Sequence, residues 1–226
     1  MDKIISCYST RALLKYAKSK GLDIQDFLTK VEEIAYVLLE SEHWTTIAVW
    51  KKVVNFVSKN LNKSLFDVGY DLVKKEKELD YRMSLIVLVP LEIVRKTSLL
   101  GTIVKKKVNR NLIAKIVSFD EQKKELCLSM SPLDMTEHCQ EICEYNKGVC
   151  KALMELKGYT DVTILEPECC FKGNQRCFVR VTWTDRNKDT EKSVFKHLMK
   201  ILKRNTIDNT FCDIKNILNG GANGRS

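Results

Sequence analysis

Residues 161–184 read DVTILEPECCFKGNQRCFVRVTWT. Apolar and polar residues alternate on either side of a short polar turn at Gly173-Asn174, which predicts two strands joined as a β-hairpin. The same stretch concentrates Glu166, Cys169, Cys170 and Cys177 around that turn. The hairpin therefore decides the fold of the region and raises the question of what the thiols do there.

Working outward, DMTEHCQEICEYNKGVCKALMELKG (134–158) has helical spacing and stops at Gly158, a residue suited to a helix C-terminus. Before it, NLIAKIVSFDEQKKELCLSM (111–130) alternates around a polar turn and predicts a second hairpin, and Leu91–Val108 predicts a basic helix. Residues 81–185 thus run helix, hairpin, helix, hairpin, an α+β unit built on an antiparallel sheet. Residues 1–80 read as helical. STRALLKYAKSKG ends at Gly21, and DIQDFLTKVEEIAYVLLES and TTIAVWKKVVNFVSKNL both carry apolar residues at helical period. In the last of these the stripe is Ile47, Val49, Trp50, Val53, Val54 and Val57. Residues 186–218 predict a C-terminal helical segment with stripes at Val194–Leu202 and Phe211–Leu218, and 219–226 a flexible tail. The expected class is α+β: N-terminal helices, then an antiparallel sheet of two hairpins packed on helices, then a C-terminal helix.

At 226 residues, with 44% hydrophobic and 30% charged residues, the composition is that of an ordinary globular protein. The longest apolar run, SLIVLVPLEIV (84–94), carries a proline and a glutamate and is too short to span a bilayer. The N-terminus lacks the apolar core of a signal peptide, so a cytoplasmic location is expected. The net charge of +9 gathers in residues 81–110, with seven basic residues against one acidic, and in 186–226, with nine against four. Neither block is interleaved with aromatics as in single-strand binders, so nucleic acid is not the expected partner. The segment LLKYAKSKGLDIQDFL resembles a helix-turn-helix and keeps a DNA-binding regulator as an alternative.

Seven of the nine cysteines fall between Cys127 and Cys177. In a reducing compartment such clustering points to metal ligands or catalytic groups before disulfides. The hairpin folds Cys169 towards Cys177, and Cys143 on the preceding helix can be aimed at the same place. With Glu166 these form a three-thiolate, one-carboxylate set suited to zinc in a closed, structural shell. Strand alternation sends Cys170 to the opposite face from Cys169. His138 and Cys139 are rival donors, and Cys139, Cys143 and Cys150 along one helix are also readable as core.

The run CEYNKGVCKALMELKGYTDVTILEPECCFKGNQRCFVRVTW (143–183) resembles the C-terminal half of the 4-vinyl reductase domain family. That family includes zinc-containing sensory domains for phenols and xylenes. The resemblance extends across 81–185 and places Cys143, Glu166, Cys169 and Cys177 at the family's structural zinc positions. It implies a sensory domain that binds a small, largely apolar molecule, pairs as a homodimer and signals to an output module or partner protein. The pocket histidine and tryptophan of phenol sensors are missing from 81–137, so phenol itself does not carry over. The family is distantly similar to haem nitric-oxide sensors, which use a histidine and a Tyr-x-Ser-x-Arg set; that set is absent, and haem is not expected. The cavity wall is expected from Met83, Ile86, Leu99, Ile103, Ile113, Ile116 and Phe119. No catalytic signature is found, so an enzyme is not expected. A tetrapyrrole-binding or tetrapyrrole-processing protein is the alternative that the family name suggests.

Overall fold

The computed structural model describes residues 2–31, 33, 35–40, 42–75, 89–190, 192, 193 and 196. Met83, Ile86, both C-terminal stripes and the tail lie outside these residues. No helix among the described residues is long and apolar enough to cross a membrane.

The N-terminal layer follows its hydrophobic periodicity. Strand β1 (Ile5–Ser6) leads into α1 (Cys7–Ser19), where the Ser6 hydroxyl accepts a hydrogen bond from the Tyr8 N–H. Gly21, with φ of 82°, turns the chain after α1, a backbone region that favours glycine. The next segment, expected as one helix, is two: α2 (Gln25–Lys30) ends where Val31 becomes extended, and α3 (Ala35–Leu39) follows. Strand β2 (Trp44–Thr45) pairs antiparallel with β1. In α4 (Ile47–Leu61), capped by the Thr46 hydroxyl, the six positions picked out by the sequence period are the six buried ones. Helix α5 (Leu65–Lys75) completes the layer. Leu13, Leu14, Tyr16, Leu38, Val53, Val54 and Val57 are fully buried in one core. Asp71, a buried carboxylate at its margin, is held by partners: Tyr16 donates to it at 2.9 Å, and the Lys63 ammonium contacts both. A buried carboxylate needs such pairing.

The second layer is the sheet. Leu91–Val108, expected as one helix, is α6 (Leu91–Lys96), α7 (Leu99–Ile103) and a π-helical turn, Val104–Val108. Ser98 adopts a left-handed φ of 53° and breaks the run. Strand β3 (Leu112–Asp120) pairs with β4 (Glu125–Pro132), with a bulge between Ile116 and Ser118. Helix α8 (Gln140–Leu156) follows, then β5 (Tyr159–Thr160), β6 (Thr163–Glu168), β7 (Cys177–Thr182) and β8 (Asp185–Arg186). The two hairpins form one antiparallel sheet in the order β3-β4-β7-β6, while β5 and β8 pair separately. Leu126, Val179 and Val181 lie buried on the inner face with Met154, Tyr159 and Trp183.

Helix α8 joins the layers. Ile142 and Tyr145 are buried in the N-terminal core, whereas Met154 is buried in the sheet core. It meets α5 at two glycines. A Cβ on Gly148 would lie 1.9 Å from the Phe66 carbonyl oxygen, and one on Gly69 would lie 2.3 Å from that of Tyr145. Backbones approach this closely only where side chains are missing.

The same contact is fastened by Tyr70, which donates to Glu155 Oε2 at 2.6 Å, and by Lys74 at 3.0 Å. Burial raises the Glu155 carboxyl, but these bonds outweigh it and hold the group below the usual glutamate range. A depressed folded-state value contributes stability above the unfolded pKa of about 4.3 and loses it as pH falls through the folded value. Tyr70→Phe is therefore expected to cost about 0.5–1.5 kcal/mol at neutral pH, with a smaller difference from wild type in acid. Urea unfolding at pH 7 and below pH 4 would check the sign.

Candidate metal centre

Three elements converge on the hairpin turn. Helix α8 supplies Cys143, the residue just after β6 is Cys169, and β7 begins at Cys177, whose Cα pairs with that of Met130 on β4. Between the strands, β6 shifts register after Leu165 and the chain coils into a 3-10 turn, Cys170–Lys172, ended by Gly173 with φ of 87°. The Cys169 carbonyl accepts hydrogen bonds from the Lys172 N–H at 2.8 Å and the Asn174 side chain at 3.2 Å. This coil removes residues 170–172 from strand alternation, and Cys170 turns inward as a result.

The Cys177 Sγ lies 3.4 Å from Cys143 Sγ, 3.3 Å from Cys170 Sγ and 3.8 Å from Cys169 Sγ. All four sulfurs fall within 4.8 Å of one another. Cys143, Cys169 and Cys177 are each at most 2% exposed. The sequence reading left Cys170 out; the fold brings it in. Glu166 sits just outside this group. Its carboxylate faces the Lys147 ammonium at 3.4 Å, and Lys147 also binds Glu144 at 2.7 Å. Burial raises the Glu166 carboxyl against the pull of Lys147. Its Oε1 is buried without a hydrogen-bond partner among the described residues.

Of the rival donors, His138 lies at the cluster and Cys139 does not. The His138 ring stacks on Phe171 at 5.4 Å, with Nε2 3.9 Å from Cys143 Sγ. Its loop is pinned to the start of β3 by Asn111, whose amide donates to the carbonyls of Asp134 and Glu137 at 2.7 and 2.9 Å. The cysteines that share one helical stripe in sequence separate in space. Cys139 joins the N-terminal core and Cys150 packs against the sheet core, leaving only Cys143 at the cluster. The hydrogen bond from Cys143 holds the Cys177 thiol well below the usual cysteine range, against burial and with help from His138 and Cys170, while Cys143 itself is pushed up by that same bond and by burial. The cluster thus favours one thiolate at Cys177, the preferred form of a soft metal ligand.

The chemistry of the donors fits zinc. Zinc–sulfur bonds of about 2.3 Å in a tetrahedron place neighbouring sulfurs about 3.8 Å apart, close to the spacings seen here. The buried, partnerless Glu166 Oε1 adds an oxygen donor at the margin.

The expected cavity wall is divided. Leu99 and Ile103 are buried with Val94, and Ile116 packs against them. Phe119 stacks on Trp183 at 6.0 Å in the neighbouring core. Ile113 is 36% exposed. It alternates with the buried Leu112 and Ala114, so it stands on the opposite face of the sheet from Ile116.

No family model matches the sequence, and the comparison with curated proteins found no match. The solved structures are informative about shape. The chain has an H-NOX-like fold. An Fe(II)-state H-NOX protein from S. oneidensis, a mutant, superposes with a TM-score of 0.58 at 13% identity, over 81% of this chain and 98% of that one. The Fe(II) unliganded H-NOX protein from K. algicida gives 0.54 at 9% identity, over 80% and 98%. An oxygen-binding H-NOX domain related to soluble guanylate cyclases gives 0.54 at 10%, over 79% and 93%. These identities establish common architecture alone. They agree with the distant relation to haem sensors expected from the sequence, while nothing in the comparisons bears on the 4-vinyl reductase resemblance.

Proposed function

We propose that this chain is a sensory domain for a small, largely apolar molecule, with its sheet and α8 fixed to each other by a structural zinc. The observation that carries this reading is the convergence of buried sulfurs from α8, β7 and the residue just after β6 within 4.8 Å on a fold otherwise shared with H-NOX domains. Cys143, Cys169 and Cys177 would hold the metal, with Glu166 or Cys170 in the fourth position. A closed shell of this kind supplies folding energy and leaves no open position for activating water. The motif running from Cys143 to Cys177 supports the 4-vinyl reductase resemblance within that wider architecture.

On this reading haem is not the cofactor: of the three histidines, His197 lies outside the described residues and the other two pack against aromatic rings. His43 packs edge-on against Tyr36 in the N-terminal layer, and His138 stacks on Phe171 beside the thiols. Residues 81–137 contain no histidine. The chain's own ligand would instead meet aliphatic side chains of α7 and β3, where Leu99, Ile103 and Ile116 gather. The response would pass through α8, which touches both cores, to a second copy of the chain or to an output partner. On this reading no reaction is catalysed: Lys147, which lies between Cys143 and Cys150 on α8, is engaged by Glu144 and Glu166.

Metal and ligand then act at separate places. Ile116→Trp is expected to weaken binding of small aromatic or aliphatic probes at least about tenfold, by filling the space they would enter, and to leave one zinc per chain. Calorimetric probe titration with elemental analysis would check both. Normal binding, or stoichiometric zinc loss, would contradict the separation.

A further inference from the structure

The donors outnumber a four-coordinate site, and the fold ranks them: His138, stacked on Phe171 with Nε2 3.9 Å from Cys143 Sγ, stays outside the four-sulfur group, which leaves Cys170 and Glu166 to compete for the last position. We propose that Cys170 occupies the fourth position, making the centre a four-thiolate site, with Glu166 kept outside as the partner of Lys147. This rests on the metal-binding reading above and deepens it.

Three observations carry it. Cys170 Sγ is 3.3 Å from Cys177 Sγ and shares the 4.8 Å radius with Cys143 and Cys169, which the Glu166 carboxylate does not. Glu166 is committed through Oε2, which faces Lys147 across a pair whose side chains are 6% and 16% exposed. Withdrawing it would take one of two carboxylates from a largely buried ammonium, which is unfavourable where water cannot compensate. The 3-10 turn Cys170–Lys172 is closed by hydrogen bonds to the Cys169 and Cys170 carbonyls. The fold itself therefore holds the two adjacent cysteines to one side, without metal-induced rearrangement.

The consequence is specificity. Four thiolates select thiophilic ions such as zinc, cadmium or monovalent copper, and disfavour ions that prefer oxygen, such as magnesium or manganese. A three-sulfur, one-carboxylate site would discriminate less. Cys170 is then the specificity-determining residue, and Glu166 positions Lys147 against the negative charge that four thiolates leave on the centre.

Cobalt(II) titration of the full chain tests this, because sulfur-to-cobalt charge-transfer absorbance grows with the number of bound thiolates. Cys170→Ser is expected to lose about a quarter of that absorbance, one sulfur of four, and to weaken cobalt and zinc binding by more than about tenfold. Glu166→Gln should leave the charge-transfer band unchanged. The cadmium-113 shift of the unaltered protein, which moves downfield with each added sulfur, gives the same answer should Cys170→Ser fail to fold. A band altered by Glu166→Gln and untouched by Cys170→Ser, or a cadmium shift typical of three sulfurs, overturns the assignment and leaves the metal reading standing. Failure of the unaltered protein to bind cobalt, cadmium or zinc overturns both.

Discussion

Gly148→Ala is expected to destabilise the protein by at least about 2 kcal/mol, even though alanine is the better helix former by about 1 kcal/mol. The added methyl would stand 1.9 Å from the Phe66 carbonyl oxygen and 2.8 Å from the Tyr70 nitrogen. Both are backbone atoms of α5, so the new atom cannot be accommodated by turning a side chain. The helices must separate, and the bonds from Tyr70 and Lys74 to Glu155 lengthen with them. For a chain of this size the midpoint of thermal unfolding should fall by about 4–8 °C. Gly21→Ala is the control: no atom lies within 4 Å of its Cβ position, so only left-handed strain of about 1 kcal/mol applies. Equal stability of the Gly148→Ala protein would mean that α5 and α8 are not in backbone contact.

The larger effect is expected from Cys177→Ser. Cys177 is the sulfur nearest to two others, and it is 1% exposed. Loss of a structural metal belongs to the short list of changes that cost about 4–5 kcal/mol or more, because metal binding at such sites is coupled to folding. The variant should retain little zinc and unfold well below the wild type, while added chelator should lower wild-type stability and leave the variant unaffected. The loss should reach the N-terminal helices as well as the sheet, since α8 carries Cys143 on one face and Ile142 and Tyr145 in the helical core. Hydrogen exchange along α4 and α5 would report that transmission. A Cys177→Ser protein as stable as wild type, with or without chelator, would remove the metal from the account.

Much of this fold is legible in the sequence because its signals are local. The stripe from Ile47 to Val57 is a six-position helical period that the structure buries unchanged, and both hairpins are visible as alternation around polar turns. Breaks are less visible. Nothing in the sequence around Thr97-Ser98 marks a stop, since serine is an ordinary residue until its left-handed φ is seen. The 23–41 segment likewise keeps a helical period across the extended Val31. Glycines 69 and 148 read from sequence as a penalty within helices; their use emerges only when each is placed against the other helix.

The candidate site was legible in part for the same reason. The spacing of Cys143, Cys169 and Cys177 foresees a meeting of helix and hairpin, and the structure brings those sulfurs together. Cys170 was excluded by a rule for strands that does not apply inside a 3-10 turn. A Gly-Asn pair three residues beyond a double cysteine is the available hint that the strand ends early. Hydrophobicity alone admits Ile113 to the cavity wall, whereas its parity along β3 sets it on the face opposite Ile116. The separation of Cys139, Cys143 and Cys150 into three environments depends on which layer meets each side of α8, and that information is tertiary.

The central claim is that metal bound by the sulfurs at the start of α8 and the start of β7 holds this H-NOX-like fold together. Elemental analysis of the full chain, purified without chelator and compared with Cys177→Ser prepared in parallel, tests it most directly. One zinc per chain in the first and markedly less in the second is the predicted result; no stoichiometric metal in the first, or an equal amount in both, would contradict it.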